Sequence, residues 1–281
     1  MTIAVTAVTG QLGTEIANSL SGMNTGEPVI GLARTPEKAK GMDIEVRAGD
    51  YNNRDQLEQS LSGVDTVLLV SGMAAPDDRI EQHRNVISAA GAAGVKKIVY
   101  TSIQGAEKDT AFSPIVQSNR QTEADIRASG LVWAIGRNGI YIEPDVEYIE
   151  TYKARGEIAN CAGDGKCGYT NRPELAYAYA CMLTGSKHDG QTYNLHGELL
   201  TQAQLAQYLN RTFGTQLQYR SMSVAEYCEE RIAELGEFIG TVIAGIYEGI
   251  RNGALDRASD YQEATGRPHQ SWDGYFRSLE T

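Results

Sequence analysis

Ala7, Gly10 and Gly13 recur every third residue between an apolar run, Ile3 to Val8, and a helix-forming stretch, Thr14 to Leu20. Small residues at a strand-to-helix turn let the main chain approach a pyrophosphate, and the unpaired N–H groups of the first helical turn face the anion. Thr9, Gly10, Gln11, Leu12 and Gly13 are therefore the expected phosphate cradle. Ala7 stands where such a turn usually has its first glycine, and Ala7-Val8 is expected to narrow the turn and restrict φ. Taken alone, the motif also reads as a tight structural turn.

A second residue selects the ligand. Arg34 lies at the tip of an apolar segment, Pro28 to Ala33, where an acidic residue would accept from the ribose hydroxyls of NAD. A guanidinium there pairs with the 2′-phosphate of NADP, so NADPH is favoured over NADH. Lys38 either assists electrostatically or is an exposed helical residue. Asp50 and Tyr51 follow a third strand, with Asp50 placed to meet the adenine, while Ser71, Gly72 and Thr101 end later strands on the same cofactor edge. Each also reads as a turn residue.

The elements that must position these residues alternate. Thr66 to Val70 is apolar at consecutive positions, as in a strand covered on both faces, and Ile44 to Val46, Lys97 to Thr101 and Val132 to Ile135 are further strands. Helical stretches fall at Leu57 to Leu61, Asp78 to Ala93 and Asn119 to Ala128. That βαβ spacing implies a Rossmann-type, doubly wound parallel α/β sheet over residues 1–140. Residues 141–281 read as a small, mainly helical substrate lobe, with a helix from Pro173 to Leu183 and a strand from Thr192 to Leu195 returning to the core.

Composition narrows the partners. The net charge of -11 argues against nucleic acid and anionic membrane surfaces, whose phosphates the whole-protein field repels. No apolar run reaches the length of a membrane span, and a cytoplasmic location is expected. Cys161, Cys167, Cys181 and Cys228 show neither CxxC pairing nor zinc-site spacing, so no metal and no disulfide framework is expected.

Several segments occur together in an informative order. They are Thr9 to Gly13, Leu32 to Ala39, Gly49-Asp50-Tyr51, His83 to Ile87, Ala93 to Lys96, Tyr100-Thr101-Ser102, Arg137 to Tyr141, Ala162 to Lys166 and Tyr193-Asn194-Leu195. In this the chain resembles the NmrA-like atypical short-chain dehydrogenases, and among them the bacterial NAD(P)H:quinone and triphenylmethane reductases. The resemblance covers most of the chain and thins after about residue 220; it departs at Ala7 and at Asn119, where relatives often carry His. It implies an NADPH-dependent reductase acting on a small apolar or aromatic electrophile, with a homodimer as the possible assembly. Asn119 and Asn138 join the expected cofactor contacts, Asn138 either orienting the carboxamide or capping a turn.

The ordinary short-chain mechanism uses a Tyr acid and a Lys four residues later. Those positions are filled here by Ile115 and Asn119, neither of which titrates usefully. Hydride transfer to an already electrophilic quinone or dye relies on positioning and tolerates that loss. A simple ketone needs a donor, for which Tyr141 is the first choice and Ser102 or an ordered water the others; Tyr141 also reads as an aromatic wall residue. His83 reads as structural rather than acid–base, Trp133 as core, and Tyr148, Tyr152, Tyr219, Tyr227 and Tyr247 as packing before substrate wall. A non-catalytic dinucleotide sensor acting through a protein partner is the alternative from another class.

Overall fold

The computed structural model describes residues 1–23 and 26–280. Its first half runs β1 (Ile3–Val5), α1 (Gln11–Gly22), β2 (Val29–Ala33), β3 (Glu45–Ala48), α2 (Arg54–Ser60), β4 (Thr66–Val70), α3 (Pro76–Ala92), β5 (Lys97–Ile103), α4 (Ser113–Ala128) and β6 (Val132–Asn138). The second half continues with β7 (Ile140–Tyr141), α5 (Glu143–Glu147), α6 (Ile149–Arg155), β8 (Glu157–Asn160), β9 (Cys167–Thr170), α7 (Arg172–Thr184) and β10 (Gln191–Leu195). It closes with β11 (Leu199–Leu200), α8 (Gln202–Phe213), β12 (Gln218–Ser221), α9 (Val224–Leu235), α10 (Glu237–Arg251), α11 (Tyr261–Thr265) and α12 (Trp272–Arg277).

Seven strands pair in parallel in the order β10-β6-β5-β4-β1-β2-β3, the doubly wound arrangement expected. Alternate side chains feed two cores, because successive residues of a strand point to opposite faces. Val5, Leu68 and Val99 pack with Ile16 and Leu20 of α1 and Leu175 and Leu183 of α7. Ala4, Val67, Leu69 and Ile98 pack on the other face with Leu57, Val86 and Ile126 of α2, α3 and α4. Burial of both faces explains the unbroken apolar run of β4.

The second half is not a separate unit. Helix α7 lies against α1, and β10 extends the sheet by pairing with β6. The rest gathers round its own core, which includes Tyr169, Leu205, Ile250 and Trp272. Among the described residues no helix is long and apolar enough to cross a membrane.

Three boundaries differ from expectation for local reasons. β1 stops at Val5 rather than Val8, because Ala7 turns to a φ of +48° and ends the extended backbone. α1 then starts at Gln11 instead of Thr14. α4 begins at Ser113, well before Asn119, with Pro114 in its first turn, where a missing N–H costs nothing.

Candidate functional site

The turn between β1 and α1 is built by backbone approach. The Gly10 N–H donates to Ala7 O at 2.9 Å, and the Thr14 hydroxyl donates to Val8 O at 2.8 Å. A Cβ on Gly13 would collide with Ala7 O and stand 3.0 Å from Val8 Cα. The Val8 side chain is admitted by Gly31 of β2, whose own Cβ would sit 2.5 Å from Val8 Cγ1. The expected restriction of φ by Ala7 is therefore corrected: Ala7 takes up the left-handed geometry a glycine would have, and the turn keeps its shape at the cost of strain. No side chain caps α1 at Gly10, which leaves first-turn N–H groups to an anion. Thr9, Gly10 and Gln11 are exposed beside it and Leu12 is half-buried.

Arg34 is exposed immediately after β2 and makes no hydrogen bond or ion pair with the described residues. Lys38 is exposed in the short 3-10 turn Pro36–Ala39 that follows. Both cations thus stand at the tip of the strand beside β1. Asp50 turns to its own loop, its carboxylate accepting from the Asn52 N–H at 3.0 Å and side-chain amide at 3.2 Å. Tyr51 is buried, and its hydroxyl donates to Val70 O at 2.8 Å.

The ends of β4 and β5 are tied together in the same way. The Ser71 N–H donates to the buried Thr101 hydroxyl at 2.8 Å, and the Ser71 hydroxyl donates to Asn119 Oδ1 at 3.3 Å. Asn119 is buried in α4, where it also accepts from Tyr100 at 2.6 Å and donates to Ile115 O at 2.8 Å. The Gly72 N–H donates to His83 Nε2 at 3.0 Å, so that nitrogen carries no proton. His83 Nδ1 then donates to the Thr122 hydroxyl at 2.9 Å, whose own proton goes to Ser118 O. Burial, and then the charge of Arg79, push His83 down to about 3, so it is a neutral structural residue, as read from its helix position. Thr101, Asn119 and Tyr51 thus brace these strand ends from within, their polar groups engaged by protein partners.

Ser102 requires a correction. It is fully buried, on the face of β5 turned to α4, and its hydroxyl donates to Glu123 at 2.7 Å. Arg137 grips the same carboxylate at 2.9 and 2.7 Å, with Arg120 at 3.0 Å and Arg127 at 3.1 Å. Burial raises the Glu123 carboxyl, but the Arg137 and Ser102 hydrogen bonds outweigh it and leave the group below its ordinary range. Strand alternation decides this, since Ser102 points away from its neighbours Thr101 and Ile103.

At the end of β6, Asn138 is buried and accepts from the Tyr179 hydroxyl at 2.6 Å, while its side-chain amide reaches the Tyr141 hydroxyl at 3.4 Å. Tyr141 is half-buried on β7, with the Arg172 guanidinium 5.7 Å from its ring centre. Burial raises its phenol to about 12, so it is a protonated hydroxyl at neutral pH. Tyr179 of α7 escaped the sequence reading; its signal is Gly136, a lone glycine inside an apolar strand, where any side chain would collide with the Tyr179 hydroxyl.

A cleft of about 570 Å³ opens beyond these strand ends, at the β5, β6 and β10 side of the sheet. Gln104, Arg120, Arg137, Asn194 and Arg257 help line it, and none of the sequence-expected site residues does. Asp145 is a further group the sequence did not flag: it is buried in α5, accepts from Tyr152 at 2.7 Å, and burial raises it to about 6. Of the late-segment tyrosines, Tyr152 and Tyr227 are buried in the lobe, in line with packing roles.

With this geometry in view, the chain matches the NAD(P)H-binding family over residues 8–160. It is similar to quinone oxidoreductase 2 of Escherichia coli, 33% identical over 95% of this chain and 94% of that protein. The E. coli NADPH-dependent quinone oxidoreductase solved with NADPH superposes with a TM-score of 0.91 at 31% identity, covering 99% of this chain and 100% of that one. The triphenylmethane reductase of Citrobacter sp. gives a TM-score of 0.91 at 32% identity, covering 100% of each chain.

Proposed function

Because this chain belongs to the NAD(P)H-binding family, we propose that it reduces quinones or similar conjugated, mostly apolar electrophiles with NADPH. The resemblance to NmrA-like reductases read from its motifs is borne out, and the protein is an NAD(P)H-dependent oxidoreductase. Its residues fit a dinucleotide: Gly13 has no room for a side chain against Ala7, α1 opens without a side-chain cap, and Arg34 carries a guanidinium with no partner among the described residues. On this reading Thr9 to Gly13 hold the pyrophosphate and Arg34, with Lys38 beside it, holds the 2′-phosphate. Ser71 and Gly72 present the β4 tip to the cofactor, held there by Thr101, Asn119 and His83.

One observation carries the choice of acceptor. Ile115 and Asn119 sit one turn apart in α4, where an acid–base pair would stand, and Asn119 is buried with its amide engaged. When bound, the dihydronicotinamide supplies the hydride. The chain then orients an acceptor that is already electrophilic and needs little acid help. For an unactivated carbonyl, whose oxygen gathers more charge, Tyr141 supplies the proton. A cytoplasmic setting accords with four free cysteines.

Oxidation of NADPH, followed by absorbance with a panel of quinones, triphenylmethane dyes and activated ketones, tests the proposal. Turnover with the conjugated acceptors is the expected result. Tight NADPH binding without turnover on any acceptor overturns it in favour of a dinucleotide sensor.

A further inference from the structure

The group that sets Tyr141 in place lies 38 residues further along the chain, on α7 over Gly136 of β6. Tyr179 is fully buried on α7, and its hydroxyl lies 2.9 Å from Gly136 O and 2.6 Å from Asn138 Oδ1, the shorter contact taking its single proton. The second distance lies within the range of O–H···O bonds and below that of N–H···O bonds, which assigns the oxygen of the Asn138 amide to the Tyr179 side. The amide nitrogen therefore faces Tyr141, 3.4 Å from its hydroxyl oxygen. Asn138 donates and Tyr141 accepts.

We infer that Tyr179 and Asn138 form a positioning relay that fixes Tyr141 as a proton donor, by occupying its oxygen and leaving its single proton free for a substrate. With the amide reversed, the Tyr141 proton would be consumed by the Asn138 carbonyl and lost to chemistry. Among the described residues, no acceptor takes the Tyr141 proton. The relay is built at a cost, since glycine weakens a central strand and Gly136 is required to admit Tyr179. An N–H donated to a phenol oxygen also favours the phenolate, which opposes the upward effect of burial on Tyr141.

The inference rests on the reading of Tyr141 as the donor in carbonyl reduction. In that reaction NADPH, when bound, would give hydride to the carbonyl carbon and be oxidised to NADP⁺, the C=O π pair would take the Tyr141 proton to give the alcohol, and water would reprotonate the phenolate. Asn138 and Tyr179 touch no reacting atom and act through Tyr141.

The relay has a test independent of turnover. A ring-fluorinated tyrosine at position 141, which titrates nearer neutrality, is followed by fluorine NMR in the full-length protein with and without Asn138→Ala. If Asn138 donates to the phenol, the variant makes residue 141 a roughly three- to tenfold weaker acid. If residue 141 instead donates to Asn138, the variant makes it a stronger acid, and that sign, or no change, overturns the relay. Tyr179→Phe, which keeps the ring but frees the amide, is expected to shift the titration in the same direction by less; circular dichroism checks that both variants fold. Kinetics separate the two claims. If Tyr141→Phe leaves ketone reduction intact, the donor reading fails whatever the NMR result. If Tyr141→Phe abolishes it, Asn138→Asp is expected to reduce kcat on a ketone at least tenfold more than kcat on a quinone, and equal losses overturn the relay.

Discussion

Replacing Ala7 by glycine is expected to make the protein more stable. Ala7 is one of two non-glycine residues among those described with a positive φ, at +48°, a region that costs an L-residue about 1–2 kcal/mol. Glycine removes that cost but loses more freedom on folding, which returns roughly 0.5–1 kcal/mol. The net gain is about 0.5–1 kcal/mol, or an increase in Tm of roughly 1–4 °C for a chain of this size. The strain is already present in the folded chain, so relieving it benefits the free and the cofactor-bound protein alike. NADPH binding is then expected to tighten by less than about fivefold, which is below ~1 kcal/mol. Ala7→Val makes the opposite case, because a β-branched residue tolerates this conformation less well. Thermal unfolding of the three proteins with and without NADPH, together with fluorescence titration of the cofactor, measures both effects. An unchanged or lower Tm for Ala7→Gly would refute the argument, and so would a gain confined to the NADPH-bound form.

Arg34→Ala is expected to weaken NADPH binding by about 1.5–3 kcal/mol while leaving NADH binding nearly unchanged; equal affinities for the two cofactors before mutation would remove the role assigned to Arg34. Tyr141→Phe is expected to lower kcat by less than about tenfold on a quinone and by roughly 10²–10⁴-fold on an unactivated ketone, read by steady-state kinetics on one preparation. Acid is expected to destabilise the fold through His83. Its folded value, about 3, lies below its unfolded value near 6.5, so the unfolded chain binds the extra proton and stability falls as pH drops from 6.5 toward 3. That amounts to about 2 kcal/mol by pH 5. Asp145, raised to about 6, works in the other direction, losing stability as pH rises from 3.8 to 6 and offsetting roughly 1 kcal/mol of the loss at pH 5. Urea midpoints between pH 7 and 5 measure the sum, and His83→Gln should reverse the slope, leaving the rise of roughly 1 kcal/mol toward pH 5 that Asp145 contributes.

The strand alternation, the small residues of the β1–α1 turn and Arg34 at the tip of β2 were all legible in the chain. Each depends on residues close in sequence: side-chain period reports which faces are buried, and a turn is decided by the few residues in it. The absent acid–base pair was legible too, because Ile115 and Asn119 lie one helical turn apart. Where polar side chains found their partners was not. Ser102 and Thr101 look equivalent in sequence, yet strand alternation sends one to Glu123 and the other to the Ser71 N–H. Tyr179 reaches Asn138, 41 positions back along the chain, only because α7 returns to pack on the sheet. Ala7 seemed to restrict the turn, whereas packing of Val8 against Gly31 and of Gly13 against the main chain holds it in a backbone region alanine avoids. Local pattern determines which elements form and what they bury; the register of strands and helices far apart in sequence decides which hydrogen bonds those elements can close.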